Sequence, residues 1–276
     1  MKTFSLTIAL LMILPCALPA QVLETTEEFT VIVEPPETCG GDPVVYTAQG
    51  PQSHLISAAD AAECRLRIEV RGGAGGTPTG TGKNASGGRG AVITFDYEAS
   101  GPTELRLHVG RAGAGYSSGG EASAVKTGTT LLTVAGGGGS GGRAYMVDTR
   151  QGSTGYAYAG MNGGAPSRTT INVPNDSSSF GILPGTAGQT RIEYSSYSTG
   201  CIRYYSYGGA GGSGYTAGSG GTVSRGGYCS GPRYVYAYGG QGGGSFLSTV
   251  PGITPVSNGT GDLSGAGRIT ISKVPQ

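Results

Sequence analysis

The stretch that decides the fold is residues 64–76, which read Cys-Arg-Leu-Arg-Ile-Glu-Val-Arg-Gly-Gly-Ala-Gly-Gly. The first eight residues alternate strictly, with Leu66, Ile68 and Val70 apolar and the intervening residues charged. Alternation with a period of two is typical of a strand that buries one face. The glycines that follow end the alternation without any helical pattern. We therefore expect the chain to be built from strands that lead into glycine tracts.

The same pattern recurs along the chain. Ala58–Glu63 predicts one helical turn. Besides 64–71, the predicted strands cover 44–47, 54–57, 93–97, 105–109, 130–134, 168–173 and 268–271. A disordered chain has no core and no reason to sort its residues by face. The sequence therefore predicts an all-β protein with little or no α-helix.

Glycine makes up 55 of the 276 residues. The tracts cover 72–90, 110–120, 136–142, 152–164, 208–231, 239–244 and 259–267. Seven flexible linkers would leave much of the domain without order. Ordering glycine costs conformational entropy, so ordered tracts need stabilising contacts with one another. One solution is a bundle of parallel and antiparallel polyproline II helices, in which hydrogen side chains let neighbouring backbones approach closely enough to hydrogen-bond.

The N-terminus predicts export. Residues 1–20 have one Lys, an apolar run and a small residue at position 20, which is the pattern of a secretory signal peptide. Residues 21–52 form an acidic N-terminal segment, and 53–276 form the glycine-rich β and polyproline II domain. No later apolar stretch is long enough for a membrane helix. We expect a secreted, extracellular protein without membrane insertion.

Four cysteines follow the signal peptide, and an even number in a secreted chain predicts two disulfides. Of three possible connectivities we favour Cys39–Cys64 with Cys201–Cys229, because each pair closes one section of chain. Asn84, Asn175 and Asn258 begin N-glycosylation sequons, which are used only in a eukaryotic source.

Several of these segments together resemble a known family. They are Leu66–Gly76, Gly88–Ile93, Leu105–Gly113, Leu131–Gly139, Gly242–Leu247 and Gly265–Ile271. In this order they are similar to the secreted glycine-rich domain family, which includes the glycine-rich extracellular region of the anaplastic lymphoma kinase and leukocyte tyrosine kinase receptors. Residues 134–145 have a counterpart there that lacks Ser-Gly-Gly. The resemblance, which covers roughly residues 54–273, implies a β-sandwich that carries polyproline II glycine helices.

The resemblance is less informative about function. Similar glycine bundles occur in phage tail-fibre adhesins, where variable loops contact a receptor. The chain has neither a kinase nor a membrane span, so a signalling role does not carry over.

The chain contains fragments of catalytic and cofactor-binding motifs, but the residues that such motifs require around them are absent. Gly136, Gly138 and Gly141 have dinucleotide-fingerprint spacing, but no helical pattern and no acidic ribose ligand follow. Lys83 lacks the remaining residues of a phosphate-binding loop, and His54 and His108 have no nucleophile elbow. The chain has no Cys-x-x-Cys pair, which would indicate a zinc site. Its two Arg-Gly-Gly triplets are too few to indicate nucleic-acid binding. We expect no enzyme, cofactor, metal or nucleic acid.

The remaining feature is a cluster rich in tyrosine, arginine, serine and glycine between residues 194 and 247. Tyrosine gives large amphipathic contact area at low entropic cost, and serine and glycine let loops adapt. The predicted ligand-binding residues are Tyr197, Arg203, Tyr204, Tyr205, Tyr207, Arg225, Tyr228, Arg233, Tyr234, Tyr236 and Tyr238. Alternatively, these rings only cap the glycine bundle.

The sequence as a whole predicts a secreted, non-enzymatic binding or adhesion module that recognises an extracellular glycan or protein. A structural coat, wall or matrix protein with oxidatively cross-linked tyrosines is the alternative, and an ice-binding protein is a minor one.

Overall fold

The computed structural model describes residues 39–146, 154–164, 166–167, 180–194, 203–226 and 234–276. Within them one short helix, α1 (Ala58–Glu63), accompanies eighteen strands. The strands are β1 (Val44–Tyr46), β2 (Gly50–Ile56), β3 (Cys64–Arg71), β4 (Lys83–Asn84), β5 (Ala91–Tyr97), β6 (Thr103–Val109), β7 (Ser123–Thr127), β8 (Thr130–Ala135), β9 (Arg143–Met146), β10 (Thr154–Ala157), β11 (Pro166–Ser167), β12 (Thr190–Tyr194), β13 (Arg203–Tyr207), β14 (Val223–Gly226), β15 (Tyr234–Ala237), β16 (Ser245–Leu247), β17 (Ile253–Thr260) and β18 (Arg268–Pro275).

The two larger sheets form a β-sandwich. One has five antiparallel strands in the order β1-β18-β3-β5-β17, and the other has six in the order β11-β16-β8-β7-β6-β2. Their inner faces meet in one hydrophobic core, which includes the fully buried Ile68 and Phe95 from the first sheet and Leu105 and Leu107 from the second. The alternating residues that predicted the strands are therefore those that build the core.

The outer face of the five-stranded sheet carries the charged residues that alternate with this core. Arg67 on β3 donates two hydrogen bonds, at 2.9 and 3.1 Å, to the carboxylate of Asp96 on β5. Arg71 donates to Glu69 on the same strand at 2.7 Å. Arg67, Glu69 and Arg71 are thus paired on this face, while Leu66, Ile68 and Val70 are buried in the core.

The all-β prediction is confirmed, and several of its details are confirmed with it. Strand Cys64–Arg71 and helix Ala58–Glu63 have the predicted bounds. The helix starts at Ser57, whose hydroxyl accepts a hydrogen bond from the backbone N–H of Asp60 at 3.1 Å. A disulfide joins Cys39 and Cys64, as predicted. Cys201, Cys229 and the predicted strand 168–173 lie outside the described residues.

Two sequence predictions need correction. The glycine tracts 72–90, 152–164 and 208–231 are not continuous, because each contains a strand, β4 in the first, β10 in the second and β14 in the third. Of the strands in the structure, β4, β7 and β9 to β17 were not predicted. β17 forms the edge of its sheet and is mostly exposed, so it has no hydrophobic alternation to reveal it.

A bundle of glycine tracts adjoins the sandwich, and residues 136–142 are its central tract. All seven of these residues are buried, and their backbone bonds connect them to six other tracts. The six are 72–76, 85–91, 118–122, 158–164, 208–214 and 238–244. One further tract, 183–189, joins the bundle at its edge and was not predicted.

The donors of the central tract repeat every three residues. The N–H groups of 138 and 141 donate to Gly73 and Gly76, those of 139 and 142 to Met161 and Tyr158, and those of 137 and 140 to Ser213 and Ala210. Three residues per turn and no internal hydrogen bonds are the properties of polyproline II. The first neighbour therefore runs parallel to the central tract and the other two run antiparallel.

Glycine is required in the central tract because there is no space for a side chain. A Cβ placed on Gly138 would lie 2.1 Å from the carbonyl oxygen of Gly88, and one on Gly137 would lie 2.0 Å from that of Gly120. Ser140 is the exception. Its hydroxyl donates to the carbonyl of Tyr116 at 2.8 Å and accepts from the N–H of Ala210 at 2.7 Å. The Ser140 hydroxyl thus bonds to backbone groups of two neighbouring segments, the turn that contains Tyr116 and the tract that contains Ala210.

Among the helices of the described residues, none is long and apolar enough to cross a membrane.

Candidate binding surfaces

Two small sheets lie at the end of the glycine tracts away from the sandwich. One has four antiparallel strands in the order β12-β13-β9-β4, and the other has three in the order β10-β15-β14. Tract 136–142 connects β8 of the sandwich to β9, and tract 238–244 returns from β15 to β16. The glycine bundle thus positions the small sheets.

The inner faces of the small sheets carry small side chains. Ala144 on β9 packs with Val235 and Ala237 on β15, and Val223 on β14 contacts them from the side. Ser206, which pairs with Ala144, is also buried. The tyrosines alternate with these residues along the same strands, so they lie on the outer faces. This arrangement is the reverse of a normal sandwich, because the large rings are outside.

Tyrosine array 1, on the four-stranded sheet, consists of Tyr116, Tyr145, Tyr205 and Tyr207. Tyr145 and Tyr205 are opposite each other on β9 and β13, and their rings stack with centroids 4.7 Å apart and planes within 5°. Tyr207 stacks on Tyr116, which comes from a turn of the bundle, at 4.5 Å. A centroid distance of 6.2 Å between Tyr145 and Tyr207 connects the two pairs.

Tyrosine array 2, on the three-stranded sheet, consists of Tyr156, Tyr158, Tyr236 and Tyr238. Strands β10 and β15 run parallel and in register, which places Tyr156 opposite Tyr236 with ring centroids 5.3 Å apart. Tyr158 and Tyr238, one residue beyond the strands, stack at 4.5 Å with planes 11° apart. Tyr156, Tyr158 and Tyr238 are 39%, 41% and 38% exposed.

Electrostatics distinguish array 1. The guanidinium of Arg143 lies 4.8 Å from the centroid of the Tyr145 ring and donates to the carbonyl of Thr81 at 3.2 Å. A cation over a tyrosine ring is held by the quadrupole of the ring. Burial raises the pKa of Tyr207 to about 12, and its hydrogen bond with Tyr145 acts in the same direction. The Tyr207 phenol is therefore neutral at physiological pH and can donate a hydrogen bond.

The structure separates the predicted binding residues into two groups. Tyr205 and Tyr207 belong to array 1, and Tyr236 and Tyr238 belong to array 2. For four others the structure describes the backbone alone, which lies in β13, β14 or β15; they are Arg203, Tyr204, Arg225 and Tyr234. Tyr197, Tyr228 and Arg233 lie outside the described residues. The predicted surface is therefore two surfaces, on different sheets.

Half of the two arrays was missed by sequence reasoning, namely Tyr116, Tyr145, Tyr156 and Tyr158. A usable signal was present, since Tyr-Ala-Tyr occurs at 156–158 and again at 236–238, each time next to a glycine tract. Two identical period-two triplets of this kind are typical of strands that pair in register and stack their rings.

Two of the three sequon asparagines lie in the described residues. Asn84 is exposed in β4, beside Arg143 in the register, and its side chain donates to the carbonyl of Gly80 at 2.8 Å. Asn258 is exposed in the edge strand β17. Both positions have room for a glycan. Asn175 lies outside the described residues.

A separate groove of about 860 Å³ lies on the outer face of the six-stranded sheet. Its lining includes Pro51, Arg106, His108, Glu121 and Phe180. His108 packs against the ring of Phe180 at 5.5 Å, and burial lowers its pKa, so the imidazole is neutral near pH 7.

The other histidine lies away from this groove. His54 bonds through Nδ1 to the hydroxyl of Tyr46 at 2.8 Å. No group of three or more His, Cys, Asp or Glu side chains within the described part of the chain could hold a metal ion.

Neither a scan against known protein families nor a search of curated proteins finds a match to this chain.

Proposed function

We propose that this chain is a secreted, non-enzymatic binding module that recognises an extracellular glycan or protein through tyrosine arrays 1 and 2. The observation that carries the proposal is the reversed arrangement of the small sheets. Burying large rings normally stabilises a protein, by roughly 1.5–3 kcal/mol for a Phe-sized side chain. Here the inner face holds Ala144, Val235 and Ala237 instead, and Tyr156, Tyr158 and Tyr238 of array 2 are left about 40% exposed. Tyrosine is among the residues most enriched at binding surfaces.

The arrays favour a ligand rich in oxygen atoms. Since the rings stack on one another, most ring faces are already covered, and the edges and hydroxyls remain for a partner. Ring edges carry partial positive charge, and phenol O–H groups donate hydrogen bonds. Glycan hydroxyls and peptide carbonyls suit both. The exposed Tyr238 ring, at one end of array 2, offers a face for stacking on a sugar.

The arrays are also rigid before any ligand binds. Their strands are continued by glycine tracts whose backbones are hydrogen-bonded on several sides, as the N–H of Tyr158 to the carbonyl of Ala237 at 3.0 Å illustrates. A surface that is ordered in advance loses less entropy on binding. The disulfide Cys39–Cys64 suits an extracellular setting, which agrees with the signal peptide predicted in residues 1–20.

A glycan array probed with the full chain, expressed in a secreting host, tests the proposal. Two double variants are compared with the unmodified chain. The first, Tyr205→Ala with Tyr207→Ala, alters array 1, and the second, Tyr156→Ala with Tyr238→Ala, alters array 2. The matched control is Leu55→Ala, because Leu55 is 76% exposed on the sandwich and far from both arrays in sequence and sheet. An array of extracellular proteins is probed in parallel.

We expect the chain to bind selectively to glycans or to proteins in these two screens. At least one tyrosine variant should bind tenfold more weakly or worse (about 1.4 kcal/mol), and the Leu55 control should bind as well as the unmodified chain. Circular dichroism and size exclusion verify that each variant stays folded. Binding that both tyrosine variants retain, or no selective binding to either probe set, would overturn the proposal.

A further inference from the structure

We propose that Tyr158 and Tyr238 form an intramolecular dityrosine cross-link when a heme peroxidase acts on the protein with hydrogen peroxide. The inference goes beyond ligand binding and does not depend on it. It rests on how the two rings are held, on their exposure, and on how few apolar side chains the small sheets bury.

The geometry brings the two rings together within one chain. Tyr158 and Tyr238 follow the in-register parallel strands β10 and β15, and their near-parallel rings have centroids 4.5 Å apart. At this separation ring carbons of the two residues are in van der Waals contact. Two reactive groups held in contact combine far faster than groups that must meet by diffusion. Coupling within the chain is therefore favoured over coupling between chains.

The pair is also accessible to an oxidant. Tyr158 is 41% exposed and Tyr238 is 38% exposed, whereas the tyrosines of array 1 are only partly exposed and Tyr145 is covered on one side by Arg143. Tyr156 and Tyr236, the other pair of array 2, are farther apart, at 5.3 Å. The Tyr158–Tyr238 pair thus shares the shortest centroid distance among the described tyrosine pairs, 4.5 Å, with Tyr116–Tyr207, and it is the more exposed of the two pairs.

The reaction balances with hydrogen peroxide as the oxidant. The peroxidase removes one electron and one proton from each phenol, and hydrogen peroxide is reduced to two water molecules. The two phenoxyl radicals couple through the ring carbons next to oxygen and form one C–C bond. Each coupled carbon then passes its proton to the phenoxyl oxygen, which restores both aromatic rings and both hydroxyls. The net loss is two hydrogen atoms per cross-link.

The small sheets have a structural reason to use such a link. Among the described residues, their shared core consists of Ala144, Val235 and Ala237 with the partly buried Val223, which contribute little hydrophobic stabilisation. A covalent bond between β10 and β15 would join two segments that are distant in sequence and restrict the unfolded chain.

The test treats the full, secreted chain with a heme peroxidase and hydrogen peroxide, followed by trypsin and mass spectrometry. Cleavage after Arg150, Arg168, Arg233 and Arg268 isolates Tyr158 and Tyr238 on separate peptides. The expected product is a monomer with dityrosine fluorescence, in which fragmentation places the link between Tyr158 and Tyr238. Tyr238→Phe and Tyr158→Phe each abolish this link and keep the stacked ring, whereas Tyr145→Phe, the matched control, leaves it intact.

Cross-links that form mainly between chains would overturn the proposal, as would links at other tyrosines within the chain or the absence of dityrosine. Failure to bind any glycan or protein would leave it unaffected, so the two proposals fail independently.

Discussion

The sandwich and the pair of small sheets are joined by the same glycine tracts, yet they distribute their side chains in opposite ways. The sandwich encloses Phe95, Ile68 and Leu107 and turns Arg67 to solvent. The small sheets enclose Ala144 and Ala237 and turn tyrosines outward. The described core of the small sheets, Ala144, Val235 and Ala237, is too small to hold a sheet pair together by burial alone. The small sheets are therefore held in place by the glycine bundle, and their tyrosines lie on the outer faces.

The largest effect is expected in the bundle itself. Gly138→Ala would place a Cβ 2.1 Å from the carbonyl oxygen of Gly88, and neither backbone can move without breaking bonds to further tracts. Extra methylenes in a side-chain core typically cost about 1–3 kcal/mol, and a backbone obstacle that cannot yield should raise the cost above that range. Because the obstacle is backbone on a fully buried axis, we expect the variant to fail to fold, as judged by amide dispersion in NMR. Gly101→Ala is the control, since nothing lies within 4 Å of its Cβ, and a folded Gly138→Ala protein would contradict this role of the bundle.

The next largest loss of stability is expected from a substitution in the sandwich core. Phe95→Ala removes a fully buried ring from the core and is expected to lower the free energy of unfolding by about 3–5 kcal/mol, because transfer and cavity terms add. Urea denaturation measures the loss. A cost below 1 kcal/mol (about fivefold in the unfolding equilibrium) would show that the sandwich, like the small sheets, does not rely on its core.

Removal of the Cys39–Cys64 disulfide is expected to cause the next largest loss of stability. Cys39 and Cys64 are 25 residues apart, and opening a loop of that length lowers stability by about 3 kcal/mol in the chain-entropy treatment. The double variant Cys39→Ser with Cys64→Ser should therefore show a lower thermal midpoint, measured by calorimetry. Since the bond lies at the start of β3, the small sheets should still protect their amides from hydrogen exchange. Equal loss of protection in both regions would argue against the separation drawn here.

A smaller effect is expected when the same substitution is made in each region. Val235→Ala removes two methyl groups from the small core and should cost about 1.5 kcal/mol or less, because the site is thin and can collapse. Val70→Ala in the sandwich, where Val70 is fully buried, should cost more. Urea midpoints of the two variants give the comparison directly. If Val235→Ala were the more costly, the alanine-rich core would matter more than the bundle.

The smallest effect concerns alkaline pH. In the folded protein Tyr207 keeps its proton until about pH 12, whereas an unfolded tyrosine releases it near pH 10. The stability that this neutral phenol contributes is fully present below pH 10 and declines as pH rises to 12. Tyr207→Phe should lose stability less steeply over that window, as measured by urea unfolding at intervals of pH. A titration of tyrosinate absorbance unchanged by the substitution would show that Tyr207 is not the late-titrating group.

The sequence predicts the sandwich better than the small sheets, and the reason is physical. Ile68, Val70 and their charged neighbours alternate because the sheet buries one face, so a period of two reveals the strand and its bounds. In β9 and β15 the buried residues are alanine and valine and the outer ones are tyrosine. A search for alternating large apolar residues does not detect that pattern.

The candidate site was predicted in composition but not in arrangement. The cluster around Tyr205 and Tyr238 is visible in the sequence, but its stacking partners Tyr145 and Tyr158 are distant along the chain. Only the pairing of β9 with β13 and of β10 with β15 brings them together. Such pairing depends on the glycine bundle, whose register no local pattern reveals.

The three-residue repeat of the central tract also restricts how this chain can change in length. Each amide of 137–139 donates to the same neighbouring tract as the amide three positions later. Adding or deleting one residue would rotate every following amide by about a third of a turn and break bonds to all neighbours, whereas three residues would extend the axis by about 9 Å and preserve every partner. We therefore expect related chains to evolve longer or shorter axes in whole turns.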